Sequence, residues 1–346
     1  MKRITLPIWE LVASGGVRVL VDIANGLVDR GFEVNVVSFS RTSYYPLDER
    51  INQIIVPGEK ERIFKKVRLL AKAIPKSDIV LANFFLTAYS AVFAKAGKNF
   101  YYVQGYEPNF FPNDTKMKWA AHLSYLLPMR ITAGSSYLSD ILKRKYKRKS
   151  FVINPGIDIG NFYPADYKKP PVQFYHLIYA GRLSEEKFQG FKDLLTALRS
   201  LWDSGFSFDL WVASQERKEL YRGFRIRFFP VKDAAEMREV FWHADLLIQP
   251  SWEEGFSMVP LEAMASGLPV VTTDCGGPRD YAKNYYNSLV VPIKSPKLLE
   301  EAIFKALTDE YLWLKLRENG IETVKQFTIE RMVDAFEDEF LRALHK

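Results

Sequence analysis

Several features that define common classes of protein are missing from this sequence. The 346 residues include one cysteine, Cys275, which excludes an internal disulfide and agrees with a reducing compartment. No apolar run approaches the roughly 18 to 20 residues of a membrane span, and the amino terminus lacks the long apolar core of a signal peptide. We therefore expect a cytoplasmic protein without a membrane-spanning segment.

Metal-binding patterns are missing as well. No Asp-x-Asp triplet occurs, and the four histidines lie far apart in sequence. Because a divalent cation would find few clustered ligands, we predict no metal site. Negative charge on a ligand would instead be met by basic side chains and by the positive end of a helix.

The composition is that of a globular protein, with 48% hydrophobic and 26% charged residues. The length fits two domains of ordinary size. A net charge of +7 indicates an anionic partner, for which a nucleotide ligand, a phospholipid surface and nucleic acid are candidates. Nucleic acid is not expected, because the basic residues form no recognised binding motif.

Short apolar strands alternate with helical patterns in both halves of the chain. The predicted strands cover residues 4–8, 33–39, 79–82, 99–103, 130–133 and 150–153, and then residues 174–181, 207–213, 225–228, 245–249, 269–273 and 289–291. This alternation is typical of a parallel, doubly wound sheet, so each half predicts an α/β domain of the nucleotide-binding type. A turn-rich stretch with four prolines, residues 154–171, separates the two halves.

The most informative segment reads EEGFSMVPLEAMASGLP and contains Glu254 and Glu262. We predict that Ser257 caps a helix there. The first N–H groups of this helix, those of Met258 and Val259, would face the carboxyl ends of the strands and attract a phosphate. Glu262, one turn inside the helix, can accept hydrogen bonds from both hydroxyls of a diol.

The two glutamates resemble the E-x7-E signature of retaining GT-B glycosyltransferases of family four, within EGFSxxxxEAMAxGxPVV. The resemblance implies two Rossmann-like, doubly wound parallel-sheet domains facing across a cleft. It implies a nucleotide-diphosphate sugar as donor, with Glu262 binding the ribose and Glu254 binding sugar hydroxyls. The domains would be residues 1–160 on the acceptor side and residues 161–327 on the nucleotide-sugar side, with a helix at residues 328–346 packing back on the first.

A second resemblance lies in GRLSEEK, which follows a predicted strand and is similar to the family's G-R-x4-K-G element. It implies donor binding at Gly181. It also implies that the charge of the departing diphosphate is neutralised by the planar guanidinium of Arg182 and by the ammonium of Lys187. Together with the first glutamate, these two cations form the predicted catalytic set. Two extra residues separate Lys187 from the next glycine, so Lys192 is an alternative second cation.

Two glycine pairs lie before predicted helices, where a side chain would block the approach of backbone to a phosphate or sugar. Both pairs are in places where the family has glycines or a similar loop. We predict that Gly15 and Gly16 bind the nucleotide or donor, and that Gly276 and Gly277 contact donor or acceptor. The alternative for the first pair is a tight turn that enters a helix.

The clearest departure from the family lies in QGYEPNFFP. Many members have a histidine that contacts the donor where this chain has Gln104. A glutamine side chain can donate and accept hydrogen bonds but cannot become charged. The run looks like that of a subgroup that includes polymer-forming rhamnosyltransferases. Gln104 and Glu107 are candidate contacts to donor or acceptor, and the alternative is a strand end followed by a packed aromatic loop.

The resemblance implies a retaining glycosyltransferase of hexosyl or deoxyhexosyl groups, and the missing Asp-x-Asp triplet predicts that it needs neither metal nor cofactor. Its acceptor would be a hydroxyl of a growing glycan or of a lipid-linked glycan. Two alternatives stay open. One is a non-catalytic subunit that binds nucleotide sugar or glycan, an alternative that Gln104 leaves open. The other is a GT-B-fold nucleotide-sugar epimerase. Epimerisation needs acid and base groups, and the four histidines, which are scattered in sequence, do not supply them.

Basic residues concentrate in KRKYKRK, residues 143–149, and aromatic residues in the stretch 101–119 of the same predicted domain. Each Lys or Arg near an anionic membrane contributes about 1 kcal/mol. An anionic membrane surface is therefore a further candidate partner, with the protein peripheral on the inner face of the membrane. The alternative is a solvated helix face. A looser basic stretch, residues 60–76, fits an ordinary amphipathic helix.

Overall fold

The computed structural model describes residues 2–166, 170, 174–183, 190–214, 216 and 223–345. The chain divides into two compact units, Met1–Gly156 with Ile329–Lys346, and Ile157–Thr328. Each unit is an α/β domain built on one parallel sheet, so the predicted fold class of two doubly wound parallel-sheet domains is confirmed.

The first unit is built from seven described strands and the helices between them. The strands are β1 (Arg3–Ile8), β2 (Glu33–Ser38), β3 (Asn52–Ile55), β4 (Ile79–Ala82), β5 (Lys98–Val103), β6 (Arg130–Ala133) and β7 (Ser150–Val152). The helices are α1 (Gly15–Asp29), α2 (Ile63–Ala73), α3 (Phe85–Ala94), α4 (Thr115–Ser124) and α5 (Ser136–Tyr146). The strand order is β3-β2-β1-β4-β5-β6-β7, so the winding reverses between β1 and β4.

The described part of the second unit holds six strands in one sheet. These are β8 (Tyr175–Ala180), β9 (Phe208–Ala213), β10 (Arg225–Phe229), β11 (Leu246–Gln249), β12 (Val270–Thr273) and β13 (Leu289–Val291). The helices are α6 (Phe191–Asp203), α7 (Ala234–His243), α8 (Met258–Ala265), α9 (Pro296–Thr308) and α10 (Glu310–Val324). The order is β10-β9-β8-β11-β12-β13, so this sheet reverses its winding between β8 and β11.

The last helix, α11 (Ile329–Leu344), belongs to the first unit, where it packs on α1. The two helices approach closely at Gly26, because a Cβ there would lie 2.5 Å from a methyl carbon of Val333. Arg30 pairs with Glu337 at 3.4 Å across the same contact. Phe336 and Phe340 are fully buried and anchor α11 in the core of the unit.

The strands predicted from the sequence are all present, with ends shifted by one residue at most. Buried strands read as apolar runs, which explains this agreement. β3 was missed because it is an edge strand with mostly exposed side chains, starting with Asn52 and Gln53. The amphipathic helix predicted within residues 60–76 is α2, which buries Val67 and Leu70.

The described residues include neither a membrane-spanning helix nor a metal-binding group of side chains. None of the helices in those ranges is long and apolar enough to cross a membrane. In the same part of the chain, no group of three His, Cys, Asp or Glu side chains is arranged to hold a metal ion.

Candidate functional site

The carboxyl ends of β8, β11 and β12 lie side by side in the second unit. Gly181 and Arg182 follow β8, a loop that contains Glu254 follows β11, and Gly276 and Gly277 follow β12. The winding of the sheet reverses between β8 and β11, and open α/β sheets bind ligands outside the strand ends at such a point. The fold therefore gathers these predicted residues at one edge of the sheet.

Main-chain hydrogen bonds join the loops that follow β11 and β12. The N–H of Glu254 donates to the carbonyl of Cys275 at 3.1 Å, and the N–H of Gly277 donates to the carbonyl of Glu254 at 3.0 Å. A Cβ added to Gly277 would lie 2.4 Å from the main chain of Phe256. Gly276 has a φ of +111°, which L side chains rarely adopt. Both glycines are thus needed to admit the Glu254 loop.

The carboxylate of Glu254 is held by residues that precede it. The Ser251 hydroxyl donates to Glu254 Oε1 at 2.8 Å and accepts from Gln249 Nε2 at 3.1 Å. Ser251 and Gln249 are both buried. Neither was predicted from the sequence, where the available signal is a polar pair at the end of an apolar strand.

The one cysteine, Cys275, is buried behind the Glu254 loop. Burial raises the pKa of its thiol, and the nearby Glu254 carboxylate raises this pKa further. The thiol therefore stays protonated and unreactive at neutral pH.

Helix α8 starts directly after the Glu254 loop, with Ser257 as its N-cap residue. The predicted side-chain cap is wrong, because Ser257 has a φ of +70° instead of the extended backbone of a capping serine, and its hydroxyl bonds no helix N–H. Tyr281 holds this conformation by donating to the Ser257 carbonyl at 2.8 Å. Left-handed backbone at a non-glycine residue stores about 1–3 kcal/mol of strain, which is typical of ligand-binding loops.

The first turn of α8 carries the N–H groups of Met258 and Val259, which have no acceptor within the helix. Glu262 lies one turn further along and is buried. The helix ends before Gly267, which lies in the left-handed region at a φ of +73°. The helix start and Glu262 therefore lie in the segment that immediately follows the Glu254 loop.

Arg182 is exposed directly after β8. Lys187 lies outside the described residues, as does all of residues 184–189. The described chain returns at Gly190, whose φ is +59° and where a Cβ would lie 1.8 Å from the Pro250 carbonyl oxygen. The start of α6 is therefore pressed against the end of β11.

A tryptophan adds a second tie between α6 and the Glu254 loop. Trp252 Nε1 donates to Asp193 Oδ2 at 2.7 Å, and the Lys294 ammonium lies 4.8 Å from the centre of the Trp252 ring. The first residues of α6 and the glycine before it thus contact the start of the loop that contains Glu254. This tie was not predicted from the sequence, because it joins residues far apart in the chain.

In the first unit, Gly15 and Gly16 open α1 after the carboxyl end of β1. Gln104, which follows β5, donates through Nε2 to the Gly16 carbonyl at 3.1 Å. A Cβ on Gly16 would lie 3.5 Å from the Gln104 side chain, an ordinary contact distance. The protein itself therefore leaves room for a side chain at Gly16.

Glu107 lies in the core of the first unit and is 2% exposed. Its carboxyl oxygens accept from the Tyr101 hydroxyl at 2.6 Å and from the Phe85 N–H at 2.8 Å. Burial raises the pKa of Glu107 to about 8, although these two hydrogen bonds lower it. The structure therefore corrects the prediction that Glu107 contacts donor or acceptor. Glu107 is instead part of a packed aromatic loop, which was the alternative interpretation.

Two family models match the chain. The model described as Glycosyltransferase Family 4 matches residues 13–161, and the model described as Glycosyl transferases group 1 matches residues 167–327. The chain belongs to these glycosyltransferases. The first match covers the Gly15–Gly16 turn, and the second covers the Glu254 loop and α8.

Curated relatives match parts of this glycosyltransferase. Sucrose-phosphate synthase 1 of Arabidopsis thaliana is 37% identical over 95 residues, which make up 28% of this chain and 8% of the plant enzyme. An uncharacterised glycosyltransferase of Methanocaldococcus jannaschii is 28% identical over 211 residues, 59% of this chain and 57% of that protein. Both matches span less than two-thirds of the relative's own length.

Solved structures match the glycosyltransferase over its whole length. A sucrose-phosphate synthase of Thermosynechococcus elongatus has a TM-score of 0.83 at 17% identity and covers 100% of both chains. HepE of Anabaena, solved in complex with UDP-glucose, has a TM-score of 0.75 at 17% identity and covers 99% of this chain and 100% of HepE. At this identity the likeness shows the fold alone, and it confirms the predicted GT-B class.

Proposed function

We propose that the protein is a retaining glycosyltransferase that moves a hexosyl or deoxyhexosyl group from a nucleotide-diphosphate sugar to a hydroxyl acceptor. The observation that carries the proposal is the Glu254 loop, held by main chain and side chain beside the start of α8 at the switch point of the second sheet. HepE, which has this fold, binds UDP-glucose. We extend the same ligand class to the second unit.

Each proposed donor contact has a chemical reason. Glu262 accepts hydrogen bonds from ribose hydroxyls, and Glu254 accepts them from hydroxyls of the donor sugar. The N–H groups of Met258 and Val259, at the positive end of α8, bind the diphosphate together with the Arg182 guanidinium. By analogy with oxyanion holes, each donor to the departing charge stabilises the transition state by about 2.7–4 kcal/mol.

Protein cations neutralise the leaving group in this proposal, so transfer needs no metal ion. Lys187, outside the described residues, is the second cation on the strength of the GRLSEEK resemblance. The acceptor oxygen forms a bond to the anomeric carbon as the bond from that carbon to the phosphate oxygen breaks. The same phosphate oxygen takes the acceptor's proton. The acceptor therefore attacks from the face on which the diphosphate leaves, and the anomeric configuration is retained. Glu254 holds the sugar and does not attack it.

The first unit supplies the acceptor side. Gly16 has space for a Cβ, so packing does not explain the glycine, whereas close approach of a ligand to the Gly15–Gly16 turn does. Gln104 stands beside this turn and is proposed to contact donor or acceptor. Its amide can hydrogen-bond to a sugar hydroxyl without taking a proton.

An exposed apolar surface on α4 and the turn after it suits an acceptor held at a membrane. Trp119, Leu123 and Leu126 are each more than half exposed. Tyr101 and Tyr102, two of the aromatic residues behind the membrane hypothesis, are instead buried in the core. The apolar contribution therefore comes from α4 and not from β5.

Basic residues border this α4 surface. The ring of Trp119 lies 5.8 Å from the ring of His122. Burial lowers the pKa of His122, and the positive charges of Lys145 and Lys118 lower it further. The Lys145 ammonium lies 4.4 Å from the centre of the Tyr106 ring, and that ring packs edge-on against His122 with 6.2 Å between ring centres. We propose that the α4 surface and the basic end of α5 dock on an anionic membrane that carries a lipid-linked glycan acceptor.

Co-sedimentation with vesicles tests the membrane proposal. We expect binding to anionic vesicles that falls with salt, weakens in Trp119→Ser, and is unchanged in Trp202→Ser, a partly exposed tryptophan of the other unit. Equal binding to neutral and anionic vesicles, or binding to neither at low salt, would leave a soluble acceptor.

Turnover of a nucleotide sugar tests the function itself. A thermal-shift screen identifies the donor, since a ligand at 100 times its dissociation constant stabilises the folded protein by about 2.7 kcal/mol. Release of nucleoside diphosphate with formation of a glycoside of unchanged anomeric configuration supports the proposal. An epimerised donor would instead indicate an epimerase, and binding without turnover would indicate a non-catalytic subunit.

A further inference from the structure

Ser251 lies between two polar side chains at the end of β11. Its hydroxyl has one proton to donate, and that proton goes to Glu254 Oε1 at 2.8 Å because a carboxylate only accepts. The Ser251 oxygen accepts in turn from Gln249 Nε2 at 3.1 Å. The hydrogen bonds therefore run in one direction, from Gln249 through Ser251 to Glu254.

This line of side chains is buried and anchored from the neighbouring strand. Ser251 is 0% and Gln249 3% exposed. Thr272 donates to the Gln249 carbonyl at 3.2 Å, and Thr273 donates to the Ser251 carbonyl. Strand β12 thus fixes the main chain that carries both side chains. The Ser251 hydroxyl could still rotate, and its hydrogen bond from the Gln249 amide restricts this rotation.

Gln249 has a feature that packing alone does not explain. Within the described ranges, its Oε1 atom is buried and has no hydrogen-bond partner. A hydrocarbon side chain at this position would avoid a buried, unpaired carbonyl. The hydrogen bond from Nε2 to Ser251 is therefore the contribution that distinguishes glutamine from an apolar residue here.

We infer that Ser251 is a positioning residue that holds the Glu254 carboxylate for the donor sugar, with Gln249 orienting Ser251. The inference rests on the proposed function, in which Glu254 binds hydroxyls of that sugar. The main chain of Glu254 is already clamped to Cys275 and Gly277, so its side-chain torsions are what Ser251 restrains. Ser251 should therefore affect recognition of the sugar and not of the nucleotide.

A double-mutant cycle tests the inference. We expect Ser251→Ala to lower kcat/KM for the nucleotide sugar about tenfold, and by less than about twofold when Glu254→Ala, which removes the acceptor of the Ser251 hydroxyl, is already present. The Kd of the nucleoside diphosphate should not change. Ser288→Ala is the matched control: Ser288 is also 0% exposed, but its hydroxyl donates to Asn287 Oδ1 at 3.2 Å.

The outcomes separate a positioning role from a structural one. Equal losses from Ser251→Ala with and without Glu254→Ala would overturn the inference, as would weaker binding of nucleoside diphosphate. Should Ser251→Ala fail to fold, Gln249→Leu gives a second readout that keeps the serine. This variant is expected to show a smaller loss that again disappears with Glu254→Ala, and a loss that persists would overturn the inference.

Failure of the proposed function would be visible separately, as no turnover of any nucleotide sugar by the wild-type protein. The double-mutant cycle is then evaluated from the affinities for nucleotide sugar and for nucleoside diphosphate. A weaker preference of Ser251→Ala for nucleotide sugar over nucleoside diphosphate would still support the positioning role. An unchanged preference, or no binding of either ligand to the wild-type protein, would overturn it.

Discussion

The N–H of Gly277 donates to the carbonyl oxygen of Glu254 at 3.0 Å, and this bond ties the loop after β12 to the loop after β11. A glutamate proposed to hold the donor sugar thus owes its position to two neighbouring strands of the sheet. The two main chains also approach closely at Gly277 and Phe256, so the two loops are packed against each other.

The contact between these loops predicts a large effect of Gly277→Ala. The new Cβ would lie 2.4 Å from the main chain of Phe256, so the Glu254 loop must move. Misplacing a binding group by 1 Å can lower activity about 100-fold, and we expect a loss of this order in kcat/KM for the nucleotide sugar. Gly160→Ala is the control, since Asp158 Oδ1, at 3.2 Å, is the one atom of the described residues within 4 Å of its added Cβ outside the adjacent residues. Unchanged activity of Gly277→Ala would show that the loop contact does not matter.

The proposed ribose contact predicts that Glu262→Ala weakens nucleotide binding. Loss of charge-assisted hydrogen bonds to a diol should raise the binding free energy by about 1.5–3 kcal/mol, measured by calorimetry with nucleoside diphosphate. Glu236→Ala, in the first turn of α7, should bind as the wild type does. A folded Glu262→Ala variant with wild-type affinity would remove Glu262 from the site.

Arg182→Ala should slow transfer about 100-fold or more if the guanidinium stabilises the departing diphosphate. Arg199→Ala, which removes another exposed arginine of the same unit, should transfer at the wild-type rate. Wild-type activity should also survive excess EDTA. Activity that is lost in EDTA and restored by a divalent cation would contradict the metal-independent mechanism.

Burial of Glu107 predicts a pH-dependent stability of the first unit. Its pKa is about 8 in the folded protein against an ordinary value of 4.5, so the folded state binds this proton more tightly than the unfolded state. The resulting stabilisation is complete below about pH 4.5 and is lost as the pH rises through about 8. We expect the melting temperature of the wild type to fall relative to that of Glu107→Gln over this range. A difference that stays constant with pH would contradict the raised pKa.

The sequence predicts the strands of both sheets well because buried parallel strands are nearly continuous apolar runs, as in β4 and β11. β3 carries no such signal, since it pairs on one side only and exposes Asn52 and Gln53. The placement of Arg182 and Glu254 could also be predicted, because both lie in loops that follow strands whose carboxyl ends share an edge of the sheet.

Other parts of the site depend on contacts that no local pattern encodes. The bonds of Gly277 to the Glu254 loop and of Trp252 to Asp193 join segments that are distant in sequence. The sequence leaves open whether Glu107 contacts a ligand or packs, because the tyrosines that contact it come from β5 and from the turn after α4. The left-handed backbone of Ser257 follows from tertiary packing and overrides its usual preference for capping.

The central claim is that Glu254 binds the donor sugar, and nucleoside-diphosphate release from the donor found by screening tests it most directly. The comparison is between wild type, Glu254→Gln and Glu253→Gln, the last being a charge-matched change at the neighbouring position. We predict that Glu254→Gln lowers kcat/KM about tenfold or more and leaves the Kd of nucleoside diphosphate unchanged. Glu253→Gln should change neither kcat/KM nor this Kd. Wild-type kcat/KM in Glu254→Gln, or an equal loss in Glu253→Gln, would contradict the account.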